Sequence, residues 1–244
     1  MRFILILILL FPSLLSLSQE NKQSAFTLNY KYAIPDNFFA NHFGNNSAVN
    51  FLFFIEQENN LTFGVDIEYM FSRDVKNREL IFQNISTENG AIIASDGYYA
   101  NINLMQSGLN THLLLGYAFH FEKNNLSGIY LSSGIGYIQQ KIIIDTKNEN
   151  IPQLNEDYKK GYDKEHNGLS SKISLDYKYY KPRGYLQFAA GINYTLAQIQ
   201  YTAPYFFNEM KYTEEEKYWG GLLGFQIGVI IPIATFNQEE FHYY

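Results

Sequence analysis

The segment from Trp219 to Ile231 alternates between two kinds of residue. One parity holds Trp219, Gly221, Leu223, Phe225, Ile227, Val229 and Ile231, and the other holds Gly220, Gly224, Gln226 and Gly228. Residues two apart on a β-strand share a face, so one face is mostly large and apolar and the other is small or polar. This pattern is typical of a membrane strand with lipid outside and a packed lumen inside.

The same alternation recurs in seven earlier segments of the chain. The predicted strands cover residues 26–34, 49–56, 61–72, 109–121, 128–145, 169–179, 186–196 and 219–231. Short polar turns are expected at residues 58–60, 123–125 and 181–184, and long polar segments separate the other strands. Outer-membrane barrels have an even strand number, short periplasmic turns and long external loops.

We therefore predict an all-β fold, an antiparallel up-and-down transmembrane β-barrel of eight strands. Residues 98–106 are expected to be strand that projects beyond the bilayer. Ten strands are the alternative if residues 91–106 form a membrane hairpin of their own. A soluble lipocalin-like barrel or β-sandwich would bury the apolar parity instead. The Gly-, Ser-, Thr- and Asn-rich polar parity and the Tyr and Phe near strand ends favour the membrane barrel.

The N-terminus carries an export signal. A basic Arg2 precedes an apolar run from Phe3 to Leu17, and Ser16-Leu17-Ser18 is a small-x-small cleavage site. These features predict a signal peptide over residues 1–18 and a barrel domain over residues 19–244. A transmembrane anchor is the alternative, but the stretch is short for a span. Export with a barrel pattern predicts the outer membrane of a Gram-negative cell.

Composition removes several classes of function. The chain has no Cys, so neither disulfides nor thiolate chemistry are available. Its net charge of −6 gives no nucleic-acid footprint. The 21 Tyr and 20 Phe residues suit strands and interfacial girdles.

The inward parity carries a set of ionisable residues. They are Lys31, Glu56, Asp66, Glu68, His112, Lys172, Asp176 and Lys178. An eight-stranded barrel leaves an interior only wide enough for side chains, and buried charges need partners. We predict a paired polar network that plugs the lumen. An ion-conducting lumen is the alternative.

No catalytic, metal or cofactor site is predicted. His112 and His120 are eight residues apart on one strand, about 26 Å at roughly 3.3 Å per residue, so they cannot share a site. His112 could pair with Asp66 or Glu68, but a nucleophilic site also needs a placed serine. The chain has no Gly-x-Ser-x-Gly motif, and its other histidines lack zinc-site spacing.

Two long loops are candidate partner sites. The first mixes tyrosines with both charges, which suits an interface better than calcium, whose loops need acids at a fixed spacing. A simple ordered external loop fits the segment better still. Its residues are Asp157, Tyr158, Lys160, Gly161, Tyr162 and Asp163. The second is an external aromatic loop, which either extends the barrel as strand or meets a partner or the outer leaflet. Its residues are Tyr201, Tyr205, Phe206, Phe207 and Tyr212.

The chain resembles the small outer-membrane β-barrel proteins of Bacteroidota, as an uncharacterised branch. The resemblance rests on the strand pattern and on the segments Asp96–Ala100, Ser127–Gly136 and Ile151–Asp163. It implies contact with outer-membrane lipid and insertion by the barrel-assembly machinery, and it brings no catalytic residues. We predict a non-enzymatic, porin-like barrel that serves a structural or partner-binding role. A narrow channel for ions or small solutes and a lipid-modifying enzyme are the alternatives.

Overall fold

The computed structural model describes residues 21–122, 125–147, 149–181, 187–213 and 216–235, with the backbone alone at residues 21, 22, 234 and 235. The predicted signal peptide, parts of two predicted short turns and the end of the chain lie outside the described residues.

Eight long strands form a closed antiparallel barrel. They are β1 (Asn21–Asp36), β2 (Asn46–Gln57), β3 (Leu61–Ser72), β4 (Asn103–Glu122), β5 (Asn125–Asp145), β6 (His166–Tyr179), β7 (Gln187–Tyr201) and β10 (Tyr218–Thr235). Two short strands, β8 (Tyr205–Phe206) and β9 (Lys211–Tyr212), form a separate hairpin. Each barrel strand pairs with its neighbours in sequence, and β10 closes the barrel on β1. The predicted eight-stranded up-and-down barrel is confirmed.

The ten-stranded alternative is wrong. Residues 103–106 begin β4 and pair with residues 142–145 of β5, so they lengthen an existing hairpin instead of forming a new one. Before them, Ile93 and Tyr99 make one isolated bridge within a loop. The strand predicted over residues 98–106 therefore starts only at Asn103.

The two parities of the barrel face opposite environments. Outward aliphatic side chains are largely exposed, with Ile135 at 74% and Leu169 at 73%. Inward charged side chains such as Lys31 and Glu68 are fully buried, at 0% each. A soluble barrel or sandwich has the reverse arrangement, so those alternatives are wrong. The outer wall is an apolar belt suited to lipid.

Within the described residues, helical structure is confined to short segments between strands. They are α1 (Asn37–His42), α2 (Arg78–Ile81), α3 (Glu156–Lys159) and a 3₁₀ turn (Pro152–Leu154). Across the described residues, no helix is long and apolar enough to cross a membrane. The predicted turn at residues 58–60 is tight: Asn60 adopts a left-handed φ of 66°, which asparagine tolerates.

We call the barrel end with the long connections the loop end and the opposite end the turn end. Each end of the lumen is filled by an apolar cluster. The loop-end plug comprises Phe38, Phe39, Ala48, Met70, Ile138, Ala197, Ile199 and Leu222. The turn-end plug comprises Ala25, Phe54, Ala118, Tyr130, Tyr180, Ala189 and Ile230. Because α1 supplies both phenylalanines of the loop-end plug, the first long loop enters the barrel mouth and does not cross its surface.

The other long loops fold together with Phe43, the residue after α1, into a cap with its own core. That core comprises Phe43, Val75, Ile81, Phe82, Ile92, Ala94, Leu104, Ile142, Ile144, Ile151, Leu154 and Tyr162. Hydrogen bonds join the loops: Ser95 N donates to Asn150 O at 2.9 Å, and Asn84 Nδ2 donates to Phe207 O at 2.7 Å. The loop end is therefore a packed layer anchored on the extended β4–β5 hairpin.

Candidate functional site: the lumen and the loop cap

The middle of the lumen is a network of buried ion pairs. Lys31 Nζ donates to both carboxylate oxygens of Glu68 at 3.0 Å. Lys172 Nζ donates to both oxygens of Asp66 at 3.1 Å and lies 3.6 Å from Glu68. Since β1, β3 and β6 lie apart around the barrel, these pairs tie the wall together across its interior.

Neutral amides extend the network on both sides. Asn50 Nδ2 donates to Asp66 Oδ2 at 2.8 Å, and Asn29 Nδ2 donates to Asn50 Oδ1 at 2.8 Å. Gln226 Nε2 donates to Asp176 Oδ1 at 2.5 Å. The sequence places these amides on the inward parity but does not indicate which carboxylate each one contacts.

A glycine makes room for the central lysine. A Cβ at Gly224 would lie 2.1 Å from Lys31 Cε, so a side chain there would displace the lysine stem. Gly224 on β10 is therefore the space into which the Lys31 side chain from β1 folds.

A second group lies at the turn end. Glu56 accepts from the His120 ring at 2.6 Å and lies 2.9 Å from the Tyr130 hydroxyl. Lys178 Nζ lies 3.1 Å from the Phe54 ring centroid and 4.1 Å from that of Tyr130. Aromatic faces attract a cation, so these two rings stabilise the buried lysine.

The structure also brings a serine to His112. Ser170 Oγ lies 3.0 Å from His112 Nε2, and His112 Nδ1 lies 3.7 Å from Asp66 Oδ1. The set has the residue types of a nucleophilic triad. Ser170 was not predicted as a site residue. The strand pairing explains why Ser170 lies beside His112, because both residues pair with Gly136 on β5.

This set lacks the geometry for nucleophilic catalysis. The 3.7 Å separation between His112 and Asp66 is longer than a hydrogen bond, and Asp66 is already bound by Lys172. Ser170 is 5% exposed and faces a filled interior. We assign the three residues to the lumen network.

The predicted loop motif divides into a surface part and a buried part. Asp157, Tyr158 and Lys160 are exposed, whereas Gly161 and Tyr162 are buried in the cap. A Cβ at Gly161 would lie 2.1 Å from Phe207 Cδ2, so the glycine lets that ring pack closely. The sequence predicts no calcium site in this loop, because its acids lack the spacing of a calcium loop. Within the described residues, no cluster of three or more potential metal-binding side chains occurs.

The predicted aromatic loop is only partly external. Tyr212 is 80% exposed, but Phe206 is 5% exposed, with Lys164 Nζ 3.9 Å from its ring centroid. Its ring also packs edge-on against Tyr201. The expectation of an outward-facing loop is therefore wrong for Phe206, because its ring packs inside the cap against Tyr201 and Lys164.

Exposed and half-buried side chains of this region form what we call the hairpin patch: Tyr158, Tyr205, Phe207, Met210 and Tyr212. The last four residues, with Lys211, line an open depression of about 680 Å³. Tyr205 lies between the rings of Tyr212 and Phe207, at centroid distances of 5.1 and 5.4 Å. The patch thus presents several apolar rings on one concave surface.

Two acids and one histidine at the loop end have shifted pKa values. Burial raises the pKa of Asp163 to about 6, although the backbone N–H of Glu165 donates to it. The Lys164 ammonium, 2.5 Å from Glu209, lowers the pKa of that exposed carboxyl. Burial lowers the pKa of His42, which keeps its ring neutral beside the Tyr201 hydroxyl.

We expect Asp163→Asn to stabilise the cap at pH 7.5 by about 1 kcal/mol, after discounting for partial exposure. The folded-state pKa is raised, so the stability that protonation of Asp163 provides is complete below about pH 4 and is lost as pH rises through about 6. Asparagine cannot ionise, and its Oδ1 can still accept from Glu165. Hydrogen exchange of the Ile142 amide, which donates to Asp163 O, measures the effect.

Variant and wild type should converge by about pH 4, the unfolded-state value for aspartate. Asp157→Asn, at an exposed position of α3, is the matched control and should match the wild type at every pH. Equal exchange of Asp163→Asn and wild type at pH 7.5 would contradict the assignment.

A closed eight-stranded sheet with an exposed apolar belt and a filled polar lumen defines the class: this is a small transmembrane β-barrel of the outer membrane. No family model matches the sequence, and no curated protein matches it.

Similar solved structures include the attachment invasion locus protein Ail of Yersinia pestis in complex with the heparin analogue sucrose octasulfate, at 10% identity and a TM-score of 0.42, over 87% of this chain and 100% of that one. Neisserial surface protein A is similar at 10% identity and a TM-score of 0.44, over 84% and 96%. The outer membrane protein OprG from Pseudomonas aeruginosa is similar at 10% identity and a TM-score of 0.37, over 87% and 97%.

Proposed function

We propose that this barrel is a non-enzymatic anchor in the outer membrane whose cap docks a protein partner outside the cell. The barrel would be a component of an outer-membrane assembly. The proposal includes export through the signal peptide, insertion by the barrel-assembly machinery and an origin in Bacteroidota, as the sequence resemblance suggests.

The observation that carries the proposal is the hairpin patch, a cluster of aromatic and apolar side chains around one depression of the cap. The loops bury their own apolar residues in a common core, yet Tyr212 and Met210 stay 80% and 67% exposed around one depression. Exposed apolar patches rimmed by polar groups are typical of protein contacts, and tyrosine is common among the residues that dominate binding.

The filled lumen disfavours the channel alternative. A solute would have to pass the loop-end plug, the ion-pair layer and the turn-end plug. The ion-pair layer has no spare cation at its centre, because Lys31 and Lys172 each bind carboxylates. Conduction would require all three layers to separate at once.

Among the described residues, burial of the candidate side chains disfavours the lipid-modifying alternative. The nearest approach to catalytic geometry is Ser170 with His112, and both side chains face the barrel interior. A substrate lipid would lie on the opposite face of the sheet, since strand side chains alternate between faces.

The proposal predicts that Tyr212→Ser combined with Met210→Ser releases the partner. Tagged full-length protein is purified from native outer membranes in mild detergent, and co-purifying proteins are quantified by mass spectrometry. We expect a stoichiometric partner with the wild type and at least a tenfold loss with the double variant, since each truncated anchor removes apolar contact area.

Tyr98→Ser is the matched control, because Tyr98 is similarly exposed, at 76%, but lies outside the hairpin patch. It should retain the partner. A wild-type barrel that purifies alone, together with steady conductance in planar bilayers, would refute the docking proposal and favour the channel.

A further inference from the structure

The outer wall of the barrel is notched where β3 ends beside the longer β4–β5 hairpin. β3 stops at Ser72, whereas β4 and β5 continue for several residues beyond that level. A groove of about 500 Å³ lies in this notch, on the membrane-facing side. Its lining includes Tyr69, Phe71, Arg73 and Met105.

The groove joins an apolar wall to a cation that has no carboxylate partner among the described residues. Phe71 and Tyr69 are outward residues of the belt, 40% and 50% exposed. Arg73 follows them directly and lines the same groove. No carboxylate of the described residues lies within ion-pair distance of Arg73. A guanidinium without a partner beside a lipid-facing wall has its donors available to a ligand.

A second cation lies on the adjoining part of the wall. Lys141 lines a smaller groove of about 190 Å³, which shares Tyr69 with the first. It is the only lysine or arginine at an outward position of β3, β4 or β5. Phe71 and Lys141 sit at one level two strands apart, roughly 10 Å at about 4.8 Å per strand spacing, and Arg73 follows two residues after Phe71.

Hydroxyl groups border the space between the cations. Ser107 Oγ donates to the Tyr69 hydroxyl at 3.1 Å, and Ser107 pairs with both Phe71 and Lys141 across the sheet. Tyrosine is enriched at the level of lipid headgroups, where its ring meets acyl chains and its hydroxyl meets water. The groove therefore sits at the headgroup level of the loop-end leaflet.

We propose that this wall binds the headgroup of a net-anionic membrane lipid, with its phosphate between Arg73 and Lys141 and an acyl chain along Phe71 and Met105. Arginine forms paired, charge-assisted hydrogen bonds to phosphate. The groove is continuous with the apolar belt, so it presents apolar side chains to an acyl chain as well as cations to a phosphate. This combination selects a lipid over a free anion.

Acids lie close to both cations but line neither groove: the carboxylate of Asp74, the residue after Arg73, lies beside Gly44, and Glu165 accepts from Gln139 Nε2. Asp163 acts on Lys141 through space, and the Asp145 carboxylate accepts from the Lys147 backbone N–H at 2.9 Å. None of these acids lines either groove, so the two linings hold two cations and no carboxylate.

The test is native mass spectrometry of the delipidated full-length protein in a zwitterionic detergent. Dioleoyl phosphatidylglycerol and dioleoyl phosphatidylcholine are titrated separately, with inorganic phosphate as a third probe. We expect the first phosphatidylglycerol to bind at least tenfold more tightly than phosphatidylcholine. Arg73→Gln should reduce that preference several-fold, and Arg73→Gln with Lys141→Gln should remove it.

Arg78→Gln is the matched control, since Arg78 is an exposed cation of α2 outside both grooves, and it should bind like the wild type. Heat-dependent gel mobility verifies that each variant is folded. The proposal is overturned if the Arg73 and Arg78 variants bind alike, if the two lipids bind equally, or if millimolar phosphate displaces the lipid completely. The lipid test is independent of the proposed docking function, because substitutions in the hairpin patch leave this wall unchanged.

Discussion

Replacing Lys172 with methionine is expected to destabilise the folded barrel by about 3–5 kcal/mol, because removing one partner of a buried ion pair leaves an uncompensated charge. Lys172 is 1% exposed and donates to both oxygens of Asp66, which is itself 2% exposed. Methionine keeps most of the volume but supplies no proton donor. Urea titration of protein folded into lipid vesicles, followed by tryptophan fluorescence of the single Trp219, measures the loss.

A double variant separates charge from packing. Lys172→Met with Asp66→Asn removes both charges of the pair, so we expect it to recover most of the stability lost by Lys172→Met alone. Lys211→Met, at an exposed position of the β8–β9 hairpin, is the matched control and should change stability by less than about 0.5 kcal/mol. An equal loss in the single and double variants would mean that packing, and not charge, dominates at this site.

Placing a lysine on the lipid face is the second large effect. Phe225 lies near the centre of β10, is 48% exposed and pairs with Tyr32 and Ile192 on the flanking strands. Phe225→Lys should cost about 2–4 kcal/mol, the range for a lysine near the bilayer midplane. The expected result is a reduced yield of folded barrel in membranes, measured by heat-dependent gel mobility after refolding into vesicles.

Tyr212→Lys provides the comparison, because it introduces the same charge at an aromatic residue of similar or greater exposure outside the belt. It should fold with the wild-type yield. If Phe225→Lys folded equally well, the outer wall between β1 and β7 would not face lipid, and the orientation of the whole sheet would be wrong.

Much of the barrel wall was predictable from the local sequence. Strand alternation has a period of two, so a segment such as β10 reveals which residues share a face without reference to any other strand. The long and short connections then indicated the strand number. The pattern was ambiguous where a strand leaves the bilayer, as at Asn103, because there the outer face no longer needs to be apolar.

The partners inside the lumen were not predictable at the same level. Lys31, Asp66, Glu68 and Lys172 could each be placed on the inward parity from their own strands. Which lysine binds which carboxylate depends on the stagger of three strands around the barrel, and the sequence of any one strand does not contain that stagger. Ser170 was overlooked for the same reason.

The sequence by itself determined the class of this protein, the direction that each strand residue faces and the set of charges inside. These follow from the direction of side chains along each strand, which repeats every two residues. Only the tertiary structure decided that Phe39 fills the barrel mouth, that Phe206 turns inward and that Arg73 faces a groove at the end of β3. Those outcomes depend on which loops share one core and which strands end first, and such contacts join residues distant in sequence through packing and loop closure.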